Sequence, residues 1–207
     1  MTDREPPSCG WNHPPGPEGV VVFHPCCHGY LLGSKRLASV TKVMREVLPD
    51  DYTGVDVDVV ESARERGCEV DALITAYVRG EMTTHYPANT REDSIDLFER
   101  LFLPFWQRSN FGKVGAQIIT HDNEIAGMID LLADEYSTVI DVKATFNVLS
   151  KHHIQVAAYA ELSGARKMML IHLSKRFSQA RIVDVPQSAR HDWKVVREFW
   201  ALKKRLK

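Results

Sequence analysis

At 207 residues and 44% hydrophobic side chains, the chain is long enough for one domain with a full core, and no run approaches the roughly 20 apolar residues that span a bilayer. The formal net charge of −1 hides an asymmetry: from Arg166 onward twelve Lys or Arg stand against three Asp or Glu, so the C-terminal fifth carries +9 and the rest −10. A helical membrane protein is thereby excluded, and the basic end suits a nucleic-acid partner or, equally, a solvated basic helix.

The first nineteen residues hold five prolines and three glycines without periodicity, the composition of a flexible arm. They lack the basic-then-apolar order of a signal peptide, so a cytoplasmic protein with one domain over residues 20–207 is expected. Cys9, His13, His24, Cys26, Cys27 and His28 contain enough soft ligands for zinc. They lack paired C-x-x-C spacing, and adjacent Cys26 and Cys27 point to opposite faces of a strand, so reduced thiols without a structural zinc are expected.

Order begins near Val20. Two apolar runs around the turn-like GSK predict a hairpin, and Ser39 or Thr41 can cap a helix through TKVMREVL that Pro49 ends. Residues 56–80 place Val59, Val60, Ala63, Val70, Leu73, Ile74 and Tyr77 at helical spacing, as one long helix or two short ones around Gly67. A further helix is predicted over residues 93–106, with Ile95, Phe98, Leu101 and Phe102 as its apolar stripe. Three strands joined by DN and DEYS turns follow, then a helix over 150–163, strands in KMMLIHLSK and ARIVDVP, and a last helix over 188–206. That last helix is expected to turn Trp193, Val196, Phe199, Trp200 and Leu202 inward. The order calls for an α/β sheet flanked by helices.

Charge in the middle strands is the anomaly. In STVIDVKATF, Asp141 and Lys143 project to one face with Val139, opposite Ile140 and Val142. In AGMIDLLAD the same alternation puts Asp130 on the face of Met128 and Leu132, and a hairpin joining the two strands can bring its carboxylate beside that of Asp141. Two carboxylates in a half-buried site need protonation or a cation, and hard oxygen ligands suit Mg²⁺ or Mn²⁺. A lysine alongside can orient or deprotonate a water and stabilise a developing phosphorane, the chemistry of phosphodiester hydrolysis. Asp-x-Lys alone is more often a solvated face with an ion pair. The next helix adds Gln155 and Tyr159 four residues apart on one face, offering hydrogen bonds to phosphate or base and a ring for stacking. Lys151 and His152 at its start can contact phosphate or simply face solvent.

Gly127 to Asp130 (G-x-x-D), Asp141 to Lys143 (D-x-K) and Gln155 to Tyr159 (Q-x-x-x-Y) together resemble the PD-(D/E)XK nuclease superfamily, and the last element resembles its RecB-type and phage exonuclease branch. HGYLLGSKRLASVTKVM and RERGCEVDALITAYVRGE extend the likeness. The resemblance implies a restriction-endonuclease-like central mixed β-sheet flanked by α-helices. It implies Asp130, Asp141 and the Val142 backbone carbonyl as ligands of Mg²⁺ or Mn²⁺, with Asp130, Asp141 and Lys143 catalytic. Gln155 and Tyr159 would position DNA or the lysine, with Lys151 and His152 nearby. The implied activity is a DNA nuclease, more an exonuclease than an endonuclease, acting on single- or double-stranded DNA in recombination, repair or phage replication. A catalytically inactive DNA-binding or assembly module of the same fold and a structure-specific endonuclease are the alternatives. This sequence departs from the pattern twice: Asp71 stands where the branch has a metal-ligand histidine, and Gln117 where some members have an acid, for which Glu69 or Glu124 are possible substitutes. No cysteine follows Cys68, so no iron–sulfur cluster is expected.

Overall fold

Gly33, at φ 58°, reverses the chain between β2 (Gly29–Leu32) and β3 (Lys35–Ser39), a left-handed position that glycine occupies without strain. In this computed structural model, which describes residues 17–25, 29–49, 54–82 and 86–206, β1 (Val21–His24) adds to the outer edge of that hairpin. Ser39 then leaves β3 and caps α1 (Val40–Val47), its Oγ accepting from the Lys42 N–H at 3.0 Å. Residues 1–16 of the arm, and with them Cys9 and His13, lie outside the described residues, as do Cys26, Cys27 and His28.

Residues 57–78 form a single helix, α2 (Val57–Val78), with Gly67 inside it. Only its second half meets the core: Val70, Leu73 and Ile74 are buried, whereas Val57 and Val59 are about 60% exposed, so the predicted stripe does not continue through its first three turns. Ion pairs hold that half instead. Arg91 reaches across to the Ser62 carbonyl at 2.8 Å, Glu65 at 3.3 Å and Glu69 at 3.3 Å. A second helical stretch runs through α3 (Glu92–Asp96), a π-helical segment (Leu97–Phe102) and α4 (Leu103–Arg108). Phe98 stacks on Phe102 and Phe102 on Trp106, at 5.8 and 5.3 Å between ring centres, a row one turn apart facing the sheet.

The three central strands are β4 (Gly115–His121), β5 (Ile125–Ala133) and β6 (Thr138–Lys143), followed by α5 (Ser150–Ser163), β7 (Lys167–His172), β8 (Arg181–Asp184) and α6 (Ser188–Arg205). All eight strands form one mixed sheet in the order β1-β2-β3-β5-β6-β7-β8, with β4 also on β5. β3 and β6 share one edge of β5: β3 runs parallel to it at Ile125 and Ala126, β6 antiparallel at Leu131 to Ala133, while β4 lines the opposite edge. Between the two partners, no strand among the described residues pairs with the edge from Gly127 to Asp130.

Helices α1, α5 and α6 cover one sheet face over Ile129, Leu132, Val139 and Leu170, and α2 with the π-helical stretch covers the other over Leu131, Ala133, Ile140 and Ile171. The expected mixed sheet flanked by helices is therefore the architecture of the chain. No helix of the described residues is long and apolar enough to cross a membrane.

One part of the core expectation fails on α6. Trp193, Val196 and Trp200 are buried, but Phe199 is 49% and Leu202 41% exposed. Phe199 lies roughly a third of a turn and Leu202 nearly half a turn round from the tryptophans, beyond the arc that α1 and α5 cover. Trp200→Ala is expected to cost about 3–5 kcal/mol and Phe199→Ser less than about 0.5 kcal/mol in urea unfolding, since only the first opens a cavity.

Candidate active site

The local pairing breaks where the charges sit. Gln117 and Asp130 stand opposite each other in the β4–β5 register without pairing, and Gln117 has φ 54°, uncommon for a residue with a side chain. The break undoes the two-residue alternation. Ile129 packs on the α5 side and Leu131 on the α2 side, and Ala116 and Ile118 divide in the same way. The expectation that Asp130 shares a face with Leu132 is therefore overturned: Leu132 joins the core under α5, while Asp130 lines a cleft against α2.

That cleft, about 310 Å³, is bounded by Ala63, Gly67, Cys68 and Asp71 of α2, by Asp130, Val142 and Lys143 of the sheet and by Thr145 just after β6. The gap in the pairing of β5 is filled by a side chain. Asp130 Oδ2 accepts the Val142 N–H at 2.8 Å, replacing the strand carbonyl that would otherwise bond it. Because the N–H and C=O of one strand residue point to the same edge, the Val142 carbonyl faces this gap too.

Asp141 is buried, with 1% of its surface exposed. Lys143 donates to its Oδ1 at 3.0 Å, and the same nitrogen stands 2.8 Å from Oδ2 outside hydrogen-bonding geometry. Oδ2 thus has charge beside it but no hydrogen bond, an orphaned acceptor in the interior. Asp71, from α2, is held by Gln117, whose Nε2 donates to both carboxylate oxygens at 3.0 Å.

Three carboxylates around one ammonium leave an excess of negative charge away from water. Burial first, and then the Asp141 carboxylate, push Asp71 up to about 6 against the pull of Lys143 and Gln117. Asp130 rises well above the usual carboxylate range through burial and the repulsion of Asp141 and Asp71. Asp141 rises as well, through burial that Lys143 only partly offsets. For Lys143 burial acts downward, but Asp141 and Asp130 outweigh it and the net shift is upward, so the lysine is charged.

The helix after the strand supports the site from below. Gln155 Nε2 donates to the Tyr159 hydroxyl at 3.0 Å. Tyr159 is buried, so the expected stacking ring is not presented to a ligand; its phenol is held neutral, pushed far up by burial and by Asp141. The ring occupies the space above Gly127, where a Cβ would come within 2.5 Å of Tyr159 Cε1. The glycine of G-x-x-D is a seat for the tyrosine of Q-x-x-x-Y. His152 is part of the helix start: its Nδ1 accepts the Leu149 N–H at 3.1 Å, and burial, with Lys143 and Lys151 nearby, lowers its pKa to about 3. Its ring is neutral and brings no charge to a phosphate.

Neither substitute acid reaches the cleft. Glu69 bonds Ser94 and Arg91, and Glu124 sits in the β4–β5 turn by Lys204. Much of the basic C-terminal charge is also used internally, Arg197 on Glu161 at 2.7 Å and Lys203 on the Glu46 carbonyl at 2.7 Å. Sequence reading missed the clasp of Gln117 on Asp71, although a lone amide in the apolar run AQII was its signal.

The residue types fit a hard divalent cation: oxygen donors only, all with raised proton affinity, and one buried oxygen lacking a hydrogen bond. As placed, each acid is turned to a protein partner, and no three His, Cys, Asp or Glu side chains among the described residues are grouped to hold a metal ion.

No protein-family model and no curated protein matches the chain. Among solved structures it is similar to an alkaline exonuclease from Laribacter hongkongensis, at 9% identity and a TM-score of 0.46 over 81% of this chain and 87% of that one. A phage-related exonuclease from Haemophilus somnus 129PT matches at 10% identity and a TM-score of 0.39, over 83% and 96% of the two chains. The protein SSO0001 matches at 17% identity and a TM-score of 0.33 over 43% of this chain, which spans half of that one.

Two measurements check this geometry. Gly127→Ala forces Tyr159 aside and is expected to cost about 1–3 kcal/mol in denaturant unfolding, with unchanged stability overturning the seat. Because the folded pKa of Asp71, about 6, exceeds its ordinary 3.8, the native state binds the proton more tightly, and its ionisation removes stability as pH rises through that window. In chelator, Asp71→Asn should flatten the fall of the melting temperature between about pH 4 and 6 and raise it at pH 7; an unchanged slope would contradict the burial of this charge.

Proposed function

We propose that the protein is a deoxyribonuclease dependent on Mg²⁺ or Mn²⁺, and an exonuclease rather than an endonuclease. The observation that carries the reading is the cluster of three desolvated, mutually repelling carboxylates around Lys143 at a break in strand pairing. Such a cluster is destabilising in itself and is accounted for by a cation that it binds. The order G-x-x-D, D-x-K, Q-x-x-x-Y supports the exonuclease branch, with DNA recombination, repair or phage replication as its setting.

Asp71, Asp130, Asp141 and the Val142 carbonyl are the residues that would hold the ion. A divalent ion supplies Lewis acidity toward a phosphodiester and lowers the pKa of water. Lys143, charged because its carboxylate neighbours outweigh its burial, serves as a hydrogen-bond donor and fixed positive charge where the phosphoryl oxygens gain negative charge. It is not the base while Asp141 stays ionised beside it. Tyr159 fixes the Gln155 amide, which leaves the amide's second N–H and its carbonyl to orient Lys143 or a phosphate. Lys151 adds positive charge at the same helix start, and His152 as a neutral cap holds the loop that leads there.

One observation favours a second reading, a DNA-binding module without activity: Gln117 neutralises part of the Asp71 acceptor capacity that a metal needs. End-labelled linear DNA and closed circular DNA with Mg²⁺ or Mn²⁺ separate the readings. Linear DNA is expected to shorten from an end, circles to persist, chelator to stop the reaction, and Asp141→Asn and Lys143→Ala each to slow it at least about a hundredfold. Cutting of circles would favour an endonuclease, and DNA binding without cleavage by wild type would leave the inactive module.

A further inference from the structure

The connection from β6 to α5 carries an aromatic ring that has no core to join. Phe146 follows Thr145, a cleft-lining residue, and keeps 65% of its surface exposed. The Arg176 guanidinium lies 3.8 Å from the centre of its ring, and the same group donates to the Phe146 carbonyl and, at 3.2 Å, to Asn147 Oδ1. Phe177 comes next, with Arg176 at 5.6 Å from its ring centre and Arg181 at 3.9 Å. His172 backs this assembly, edge-on to Phe177 at 5.0 Å and bonded through Nε2 to the Thr145 carbonyl at 2.9 Å. Arg100, from the π-helical segment, anchors the Phe177 carbonyl at 2.6 Å.

Phe146, Arg176, Phe177 and Arg181 therefore alternate ring and guanidinium in a ladder that starts at the cleft rim. Arg176 holds the Phe146 carbonyl by a hydrogen bond and its ring by stacking, so the ring is oriented before any ligand arrives. Neither Arg176 nor Arg181 is in a salt bridge among the described residues, so exposed π surface and positive charge occur together. A ligand that matches both has planar faces and anionic groups repeated along its length, which is single-stranded nucleic acid. In a duplex the base faces are covered by their neighbours and cannot use the ring.

We infer that this ladder is a stacking subsite for an unpaired nucleobase of the DNA strand that enters the cleft, which makes a single-stranded or frayed end the preferred substrate. The inference rests on the nuclease reading and names its substrate class. Fluorescence anisotropy in chelator, where nothing is cut, tests it with a labelled oligothymidylate of about a dozen nucleotides and a strand of equal length made of abasic sites. Phe146→Ala should weaken binding of the oligothymidylate about tenfold, the size of one base–aromatic stack, and leave the abasic strand unchanged. Phe146→Tyr should bind both as wild type does. Equal binding of oligothymidylate by wild type and Phe146→Ala, or an equal loss on both strands, overturns the subsite while the nuclease reading stands. No binding of either strand by wild type overturns the subsite as well, and the metal-dependent nuclease reading is then decided by the cleavage assay alone.

Discussion

The organising constraint of this structure is the repulsion between three carboxylates that share one lysine away from water. Left to themselves such groups separate or take up protons, and here each is restrained by a different part of the fold. Asp141 is restrained by Lys143 from the same strand, Asp130 by a backbone amide of the neighbouring strand, and Asp71 by an amide side chain from a third. The distortion of β4 and β5 follows from this requirement. A regular ladder would bond the Val142 N–H to a strand carbonyl and leave it unavailable to Asp130.

The same break explains how the motifs cooperate across the sheet. Gly127 leaves room for the Tyr159 ring, the ring supports the Gln155 amide, and the strand bearing Asp141 and Lys143 passes over them. Substituting any one of these elements shifts the others, because the interior beneath them is packed without slack.

Elements with a strong local signal were legible in the sequence. The Ser39 cap, the Gly33 turn and the limits of α5 follow from capping, turn chemistry and periodicity, and the pairing of Asp130 with the Asp141 strand follows from a hairpin. What could not be read depends on tertiary contact. Alternation assigned Asp130 to the wrong face because the distortion at Gln117 and Asp130 has no glycine or proline to announce it. Helical spacing turned Phe199 and Leu202 inward because periodicity gives a stripe's direction, and not how wide an arc its neighbours cover. Tyr159 looked like a surface ring until the space above Gly127 was taken into account.

The two walls of the cleft are held by different forces. On the sheet side the site is continuous with the buried core, whereas the first turns of α2 are tied down mainly by the branching contacts of Arg91. Apolar contacts hold regardless of ionic strength, and partly exposed ion pairs weaken with it. The cleft is thus a vise with one fixed jaw and one electrostatically latched jaw. The stiffness of the latched jaw therefore varies with the salt around the molecule, whereas that of the fixed jaw follows the stability of the fold.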